Sequence, residues 1–387
     1  MNILFVSDSY YPHINGVYYF VCRIGPLLQE RGHNVAVIAP SATSSASFSK
    51  IDGLDVYGIP SLSVIFYPSI RVPLPLLVKR RIKRILLDFK PDIIHLQDHF
   101  PISKAVAQVN KKLRIPIIGT NHFMPENITV FLKRQFWKKR LENFLWRGFS
   151  KVYNQVGLVT TPTVTGVNII RPKLKLEPIA ISSGIDLSTF NPAGETKDTR
   201  IKYGVPDKPV LLYVGRLDPE KHIDEILEAV AIALKTVDLC LVIVGKGTSR
   251  KALEQQAQKL GISASLIFTG FVPDEDLPLI YKLSRCFIIA SIAELLSLTT
   301  LQAMASALPV IAVNAGALGE LVKNGENGYL YNEKDMATLV KSIINIITND
   351  ELQRSMSAKS LEFVQRHDIN KTLLAFEELY RNHSVFK

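Results

Sequence analysis

The sequence predicts an α/β protein of two doubly wound, Rossmann-like domains, and three observations predict it. Short, β-branched apolar runs alternate with segments of helical length along the whole chain. The runs are continuous in apolar residues, the pattern of parallel strands covered on both faces. And 387 residues are too many for one ordinary core.

In order, the strand candidates of the first half are ILFV (3–6), VAVIA (35–39), DIIHL (92–96) and IPIIG (115–119). Those of the second half are PVLLYVG (209–215), LCLVIVG (239–245), SLIFTG (265–270), CFIIA (286–290) and PVIAV (309–313). Segments such as 221–236, 248–260 and 335–349 have helical length and spacing. The rhythm fails at 182–208, a stretch rich in Gly, Pro, Ser and Asp, which reads as the interdomain connection followed by a short helix. The expected domains are therefore 1–184 and 185–365, with 366–387 forming a last helix that returns toward the first domain. SATSSASFS (41–49) reads as a flexible loop.

Composition narrows the class. Apolar residues make up 47% and charged residues 21%, as in a globular protein. Cys22, Cys240 and Cys286 have neither metal-ligand nor redox spacing and read as packed thiols of a reducing compartment. The opening MNILFVSDSYYP lacks the length and basic flank of a secretory segment. No stretch approaches the ~18 apolar residues of a spanning helix. The expectation is a cytoplasmic protein whose membrane contact is peripheral, at the cytoplasmic face.

The net charge of +11 is unevenly placed. Residues 1–200 hold 26 Lys+Arg against 13 Asp+Glu, and the remaining 20 and 22 fall in 201–387. The basic excess thus belongs to the first half, which points to a polyanionic partner for that domain alone. Two segments concentrate it. VKRRIKRILLDFK (78–90) has six basic residues and one acid, with Val78, Ile82, Ile85, Leu86 and Phe89 on one helical stripe. FLKRQFWKKRLENFLWR (131–147) has the same charges interleaved with Phe131, Phe136, Trp137, Phe144 and Trp146. Such mixtures suit helices lying in an anionic membrane interface. The competing reading is two ordinary helices, each with a solvated basic face and a core stripe. Nucleic acid is not the expected partner, because no helix-turn-helix, RRM or zinc signature is present.

Four constellations can carry chemistry. SDSYYPHINGV (7–17) follows the first strand; Asn15-Gly16 stands where a glycine lets backbone approach a phosphate at a helix N-terminus. It is not a G-x-G-x-x-G fingerprint, and no acid ends a second strand in the manner of an NAD site. VGRLDPEKHID (214–224) puts Arg216 and Lys221 after a strand and around a helix start, where two cations can neutralise a diphosphate. ASIAELLSLTTLQAMASALPVIA (290–312) puts Glu294 at the carboxyl end of a strand, with backbone donors near Ser297, Leu298 and Thr299. GTNHF (119–123) puts His122 just past another strand, within reach of a sugar hydroxyl. Each also has a plain reading: a solvated loop cation, a helix-start carboxylate, a loop histidine.

The combination and its order resemble the family 4 glycosyltransferases, retaining enzymes of the GT-B type in which two Rossmann-like domains face each other across a cleft. The resemblance covers essentially the whole chain. Its most specific parts are GRLDPEKHID, FTGFVPDEDLPLIY (268–281), the Glu294 segment with AMASALPVIAVNAGALGELV, and NGENGYLY. Within the family the sequence looks most like the diacylglycerol α-glucosyltransferases, with the phosphatidylinositol mannosyltransferases next. The resemblance implies that Gly16 approaches the donor diphosphate and Arg216 and Lys221 bind it. It implies that His122 contacts the transferred sugar and that backbone at Val272 reads the base. Glu294, first acid of the family's E-x7-E motif, takes sugar hydroxyls, and Leu296 to Thr299 supply backbone donors.

One departure stands out: the second acid of that motif is Gln302, which can accept one ribose hydroxyl bond but without charge assistance. Ser306-Ala307 replaces the more usual Ser/Ala-Gly. The implied function is hexose transfer, UDP-glucose first and GDP-mannose second, to a lipid acceptor, with no metal and no cofactor. The alternatives are a soluble or polysaccharide acceptor and, because of Gln302, a nucleotide-sugar-binding protein with little activity.

Overall fold

The computed structural model describes the chain except residues 14, 65–66, 126–128, 130–134 and 385–387, and the side chains at 67–70, 75–77, 135 and 384. It divides into two compact units, Met1–Ser183 with Ile369–Lys387, and Gly184–Asp368. The fold is α/β with two Rossmann-like units.

The first unit is built on an eight-stranded sheet. Its strands are β1 (Asn2–Val6), β2 (Asn34–Pro40), β3 (Ser47–Ile51), β4 (Leu54–Ile59), β7 (Ile93–Leu96), β8 (Ile117–Thr120), β9 (Leu158–Thr161) and β10 (Ile179–Ala180). They lie in the order β10-β9-β8-β7-β1-β2-β4-β3, all pairings parallel except β3 against β4. A separate antiparallel hairpin joins β5 (Ser61–Val64) to β6 (Tyr67–Pro73). Helices α1 (Gly16–Glu30), α2 (Pro75–Phe89) and α3 (Pro101–Leu113) follow their strands. Apolar clusters cover both faces of this sheet, as the unbroken apolar strands require.

The terminal helix Ile369–Ser384 belongs to this first unit. Leu373, Phe376 and Tyr380 join Phe5, Phe20 and Ile24 in one buried cluster. A buried polar relay locks it further. The fully buried His95 bonds the Tyr380 hydroxyl at Nδ1 (2.8 Å) and the Thr120 hydroxyl at Nε2 (2.6 Å), donating from one nitrogen and accepting at the other, and Thr120 meets Thr160 at 2.6 Å. Burial pushes the His95 imidazole well below its usual range, so both ring nitrogens serve hydrogen bonds rather than charge.

The second unit has six parallel strands in the order β13-β12-β11-β14-β15-β16. They are β11 (Val210–Val214), β12 (Cys240–Val244), β13 (Leu266–Gly270), β14 (Cys286–Ile289), β15 (Val310–Val313) and β16 (Gly328–Tyr331). The short helix Lys197–Tyr203 precedes them.

Two expectations are corrected. The stretch 41–49 is not simply a loop: Ser47–Ile51 forms β3, and the buried Ser41 accepts from Ser47 Oγ at 3.1 Å. The α2 stripe is not free for a membrane: Val78, Ile82, Ile85 and Leu86 are buried in the sheet cluster, with Phe89 packed against it. Burying each is worth about 1.5–3 kcal/mol. Turning four of them toward lipid would forfeit an amount comparable to the whole stability of a domain, about 5–15 kcal/mol. What α2 offers outward is its basic face, Lys79, Arg80, Lys83 and Arg84.

The segment 131–147 behaves differently. Residues 131–134, Phe131 among them, lie outside the described residues; from Gln135 the chain is helical to Tyr153. Phe136, Trp137 and Phe144 are exposed, Trp146 is half-buried, and Phe149 and Val152 hold the helix to the core. Among the described residues no helix is long and apolar enough to cross a membrane.

Candidate active site

In an open parallel sheet, ligands bind beyond the carboxyl ends of the strands where the strand order reverses. In the second unit that point lies between β11 and β14, paired at Leu211–Cys286 and Leu212–Phe287. The loops leaving these strands are 215–222 and 290–297, and they hold Arg216, Lys221, Glu294 and Ser297. Lys221 Nζ lies 2.7 Å from Glu294 Oε1 and 3.2 Å from Ser291 Oγ. The two side chains of this pair are only 15% and 16% exposed. Arg216 is gripped by carboxylates of its own loop, Asp218 through Nη1 and Glu220 through Nη2 at 2.7 Å. Asp218 also accepts from the Thr248 N–H (3.1 Å) and hydroxyl (3.0 Å). Under all of them stands Tyr213, whose hydroxyl donates to Arg216 O at 3.0 Å. Burial raises that phenol, Glu294 adds to the effect, Arg216 opposes it, and Glu220 and Asp218 add a little more. One buried hydroxyl thus senses the carboxylates of both loops.

Two glycines bring the surrounding loops this close. A Cβ at Gly247 would stand 2.3 Å from Leu217 O, and one at Gly316, where φ is +54°, would stand 2.7 Å from Glu294 O. The Ala317 N–H closes the second approach, donating to Glu294 O at 2.8 Å.

Ser297 caps the helix Leu298–Ala305, accepting from the Thr300 N–H at 3.2 Å. Leu296, Leu298 and Thr299 are half-buried beside it. Gln302, one turn on, accepts the buried Tyr281 hydroxyl at Oε1 (2.9 Å), a phenol that also faces Thr299 O (3.2 Å). Val272 is buried in the loop after β13.

In the first unit the reversal lies between β7 and β1, and the loops that leave them contain Ser7–Asn15 and Gln97–Phe100. Asn15 caps α1, accepting from Val17 and Tyr18 N–H at 3.0 and 3.1 Å. Gly16 is the first residue of that helix, and among the described residues nothing lies within 4 Å of where its Cβ would stand. No described residue therefore demands a glycine there. His122, past β8, is half-buried; its Nε2 is 3.0 Å from Gln97 Oε1 and its ring packs on Phe20 at 5.0 Å. Burial lowers it to about 4, so it is neutral near pH 7.

The structure therefore brings Arg216, Lys221, Glu294 and Ser297 together in one unit, and Asn15, Gly16 and His122 to strand ends of the other. Sequence reasoning missed Asp218, Glu220, Ser291 and Tyr281. Only Asp218 and Glu220 carried a signal, being acids two and four residues after Arg216. It also missed Gln97, which leaves β7 as His122 leaves β8.

Two doubly wound units, one with cations, carboxylates and a helix N-terminus at its switch point and the other with a capped helix N-terminus at its own, are an arrangement suited to an anionic, hydroxyl-bearing ligand. Consecutive family profiles agree: Glycosyltransferase Family 4 over residues 14–189 and Glycosyl transferases group 1 over 195–363. The chain belongs to this glycosyltransferase family. It is 29% identical over 370 residues to the alpha-monoglucosyldiacylglycerol synthase of Streptococcus pneumoniae, covering 94% of this chain and 82% of that one. It is 26% identical to a GDP-mannose-dependent alpha-mannosyltransferase of Corynebacterium glutamicum, over 94% of this chain and 85% of that one. The Anabaena protein HepE, solved with UDP and glucose, shares the fold with a TM-score of 0.79 at 18% identity, covering 98% of this chain and 99% of that one.

Proposed function

We propose that this glycosyltransferase moves a hexose, with retention of configuration, from a nucleotide-sugar to a lipid acceptor such as diacylglycerol at an anionic membrane surface. The observation that carries the proposal is the Lys221–Glu294–Ser291 cluster beside Arg216 at the switch point of the second unit. There the C1–oxygen bond of the donor breaks, and the diphosphate leaves with the electron pair. Arg216, Lys221 and the amides around Ser297 to Thr299 stabilise that charge, the kind of preorganised electrostatics that dominates many enzymes. The acceptor oxygen bonds to C1 on the same face, and its proton passes to the departing diphosphate. Glu294 takes sugar hydroxyls, Gln302 a ribose hydroxyl and Val272 backbone the base. In the first unit His122 takes a sugar hydroxyl, and the open space at Gly16 leaves room for the diphosphate. Protein cations fill the role a metal ion plays elsewhere.

UDP-glucose is the first donor and GDP-mannose the second; one relative above is named for a glucosyl-diacylglycerol product and the other for GDP-mannose. The lipid reading is supported by the helix Gln135–Tyr153. Arg140 sits over the Phe136 and Trp137 rings at 5.5 and 6.0 Å, and Phe144 is exposed two turns on. A groove of about 720 Å³ continues the basic face, with Arg147, Lys151, Lys173 and Lys175 in its walls and Lys173 over the Trp146 ring at 5.8 Å. Aromatics beside cations suit an anionic headgroup layer. Gln302 favours the second reading, a nucleotide-sugar binder with little turnover, since its carbonyl is already engaged by Tyr281.

The experiment is a thermal-shift comparison of UDP-glucose and GDP-mannose, followed by transfer to diacylglycerol in vesicles with and without a chelator. A donor that binds only the folded state at a hundred times its Kd raises stability by about 2.7 kcal/mol. No shift with either donor refutes the donor assignment; a shift without transfer supports the binder. Product with the α configuration, formed equally with the chelator, is the expected result.

A further inference from the structure

We propose that Gln97 is a positioning residue for His122. Its carbonyl holds the proton on His122 Nε2 and leaves Nδ1 as a hydrogen-bond acceptor toward a sugar hydroxyl. The inference rests on the transferase reading for the role of His122, but its geometric part stands apart from it.

Gln97 directly follows β7, and its backbone N–H donates to Val6 O at 2.9 Å, which fixes it to the end of β1. Its side chain is fully buried. Oε1 lies 3.0 Å from His122 Nε2, while the amide Nε2, also buried, has no hydrogen-bond partner. An amide N–H buried without a partner costs free energy that a methionine of the same length would not incur. Phe20 packs on the ring of His122, so the imidazole has an apolar wall on one side and the Gln97 carbonyl at its Nε2. What the glutamine supplies, and methionine could not, is a directional acceptor for one imidazole nitrogen.

That contact matters because a neutral imidazole carries one proton on either of two nitrogens, and the partner decides which. With the carbonyl toward Nε2, the proton is on Nε2 and the lone pair on Nδ1, which has no partner among the described residues. A sugar hydroxyl can then donate to His122 and still accept from another group. The reverse tautomer would present a donor instead and change which hydroxyl geometry the ring accepts.

The test uses full-length protein labelled with ¹⁵N-histidine, and long-range ¹H–¹⁵N correlation spectra at pH 7.5 for the parent, Gln97→Met and Gln97→Glu. Melting temperatures and transfer kinetics are measured in parallel. The parent is expected to show His122 protonated at Nε2. Gln97→Met is expected to mix the tautomers, keep or raise the melting temperature, and lower kcat about tenfold, one hydrogen bond's worth, with donor KM within about threefold. Gln97→Glu keeps an acceptor and is expected to retain the Nε2–H form and more turnover than Gln97→Met. A parent protonated at Nδ1, or a Gln97→Met variant with the parent tautomer, overturns the inference, whatever its melting temperature. The spectra need no donor. If the protein transfers no sugar, the transferase reading falls and the tautomer still decides the role of Gln97.

Discussion

Replacing Lys221 by methionine separates what this residue does for the fold from what it does for transfer. The methionine keeps the length of the stem but removes the charge that stands 2.7 Å from Glu294 and 3.2 Å from Ser291. Both partners of the ion pair are about five-sixths buried, so the lost bond is a charge-assisted one in a partly desolvated place. Such bonds contribute about 1.5–3 kcal/mol. For units of this size that corresponds to a fall in Tm of about 3–12 °C. Removing one preorganised group that faces a developing charge typically costs about 10²–10³ in rate. Lys221→Met should therefore lose both stability and kcat/KM. The double variant Lys221→Met/Glu294→Gln removes the stranded carboxylate charge as well, so Tm should recover most of its loss while kcat/KM does not recover. Calorimetry and donor kinetics on the three proteins decide it. A single variant whose kcat/KM stays within about twofold, or a double variant whose kcat/KM returns with its Tm, would refute the role given to Lys221.

Four further outcomes are expected. Gly16→Val places a side chain in open space, so Tm should change by less than about 1 kcal/mol equivalent while donor affinity falls at least tenfold; an unchanged affinity by calorimetric titration counts against donor approach there. Gln302→Glu replaces a neutral acceptor by a charged one and should tighten nucleotide binding about tenfold, a gain of the size charge assistance gives; weaker binding would show that the Tyr281 contact matters more. Acid should destabilise the fold early. His99, His122 and His367 are lowered to about 4 by burial, and His95 lies well below its usual range. The unfolded chain therefore takes up these protons first, near pH 6.5, and stability present above that pH is lost toward pH 4. The slope is up to about 1.4 kcal/mol per pH unit for each imidazole, partly offset by Asp8, whose carboxyl is raised by burial and by Asp98. A Tm that is flat or rising from pH 6.5 to 5 contradicts this. Finally, Trp137→Ala/Phe144→Ala should weaken co-sedimentation with anionic vesicles at least tenfold and leave donor binding unchanged; equal sedimentation with neutral and anionic vesicles would speak against the membrane reading.

The parts of the fold legible in the sequence were those where burial on both faces leaves an unbroken apolar run: β1, β2, β7, β8 and β11 to β15. The missed strands lack that signature. β3 is exposed along SFSKI, β4 alternates buried and half-buried residues, and β16 is a four-residue edge. Period alone could not say whether the α2 stripe faced core or lipid, because both environments ask for the same residues; only the packing of Ile82 and Ile85 decides it. At the site, Arg216, Lys221 and Glu294 were legible because strand ends are where ligands bind, whereas their partners were not. Nothing in the spacing of residues 213, 281 and 291 shows that they meet through folding.

Those partners change how the site must work. Counting formal charges, Arg216 and Lys221 face Asp218, Glu220 and Glu294, so the cluster holds no positive excess with which to draw in a diphosphate. Binding must then be an exchange of partners, and the two cations are placed differently for it. The Arg216 side chain is 59% exposed; of its two loop carboxylates Asp218 is also held by Thr248, whereas the buried Glu220 has its other oxygen without a hydrogen-bond partner among the described residues. Exchanging Asp218 for phosphate oxygens therefore costs less than leaving Glu220, whose buried charge would lose its partner. Lys221 is held in the interior by Glu294 and Ser291 and gains little freedom from letting go. On the proposed reading Arg216 would exchange Asp218 for phosphate while Lys221 stays in place, with Glu294 keeping Lys221 in register and offering its second oxygen to a sugar hydroxyl. An arrangement of this kind favours ligands that bring both a diphosphate for Arg216 and hydroxyls for Glu294. Free phosphate satisfies only half of it, which is how a site without net positive charge can still select a nucleotide-sugar.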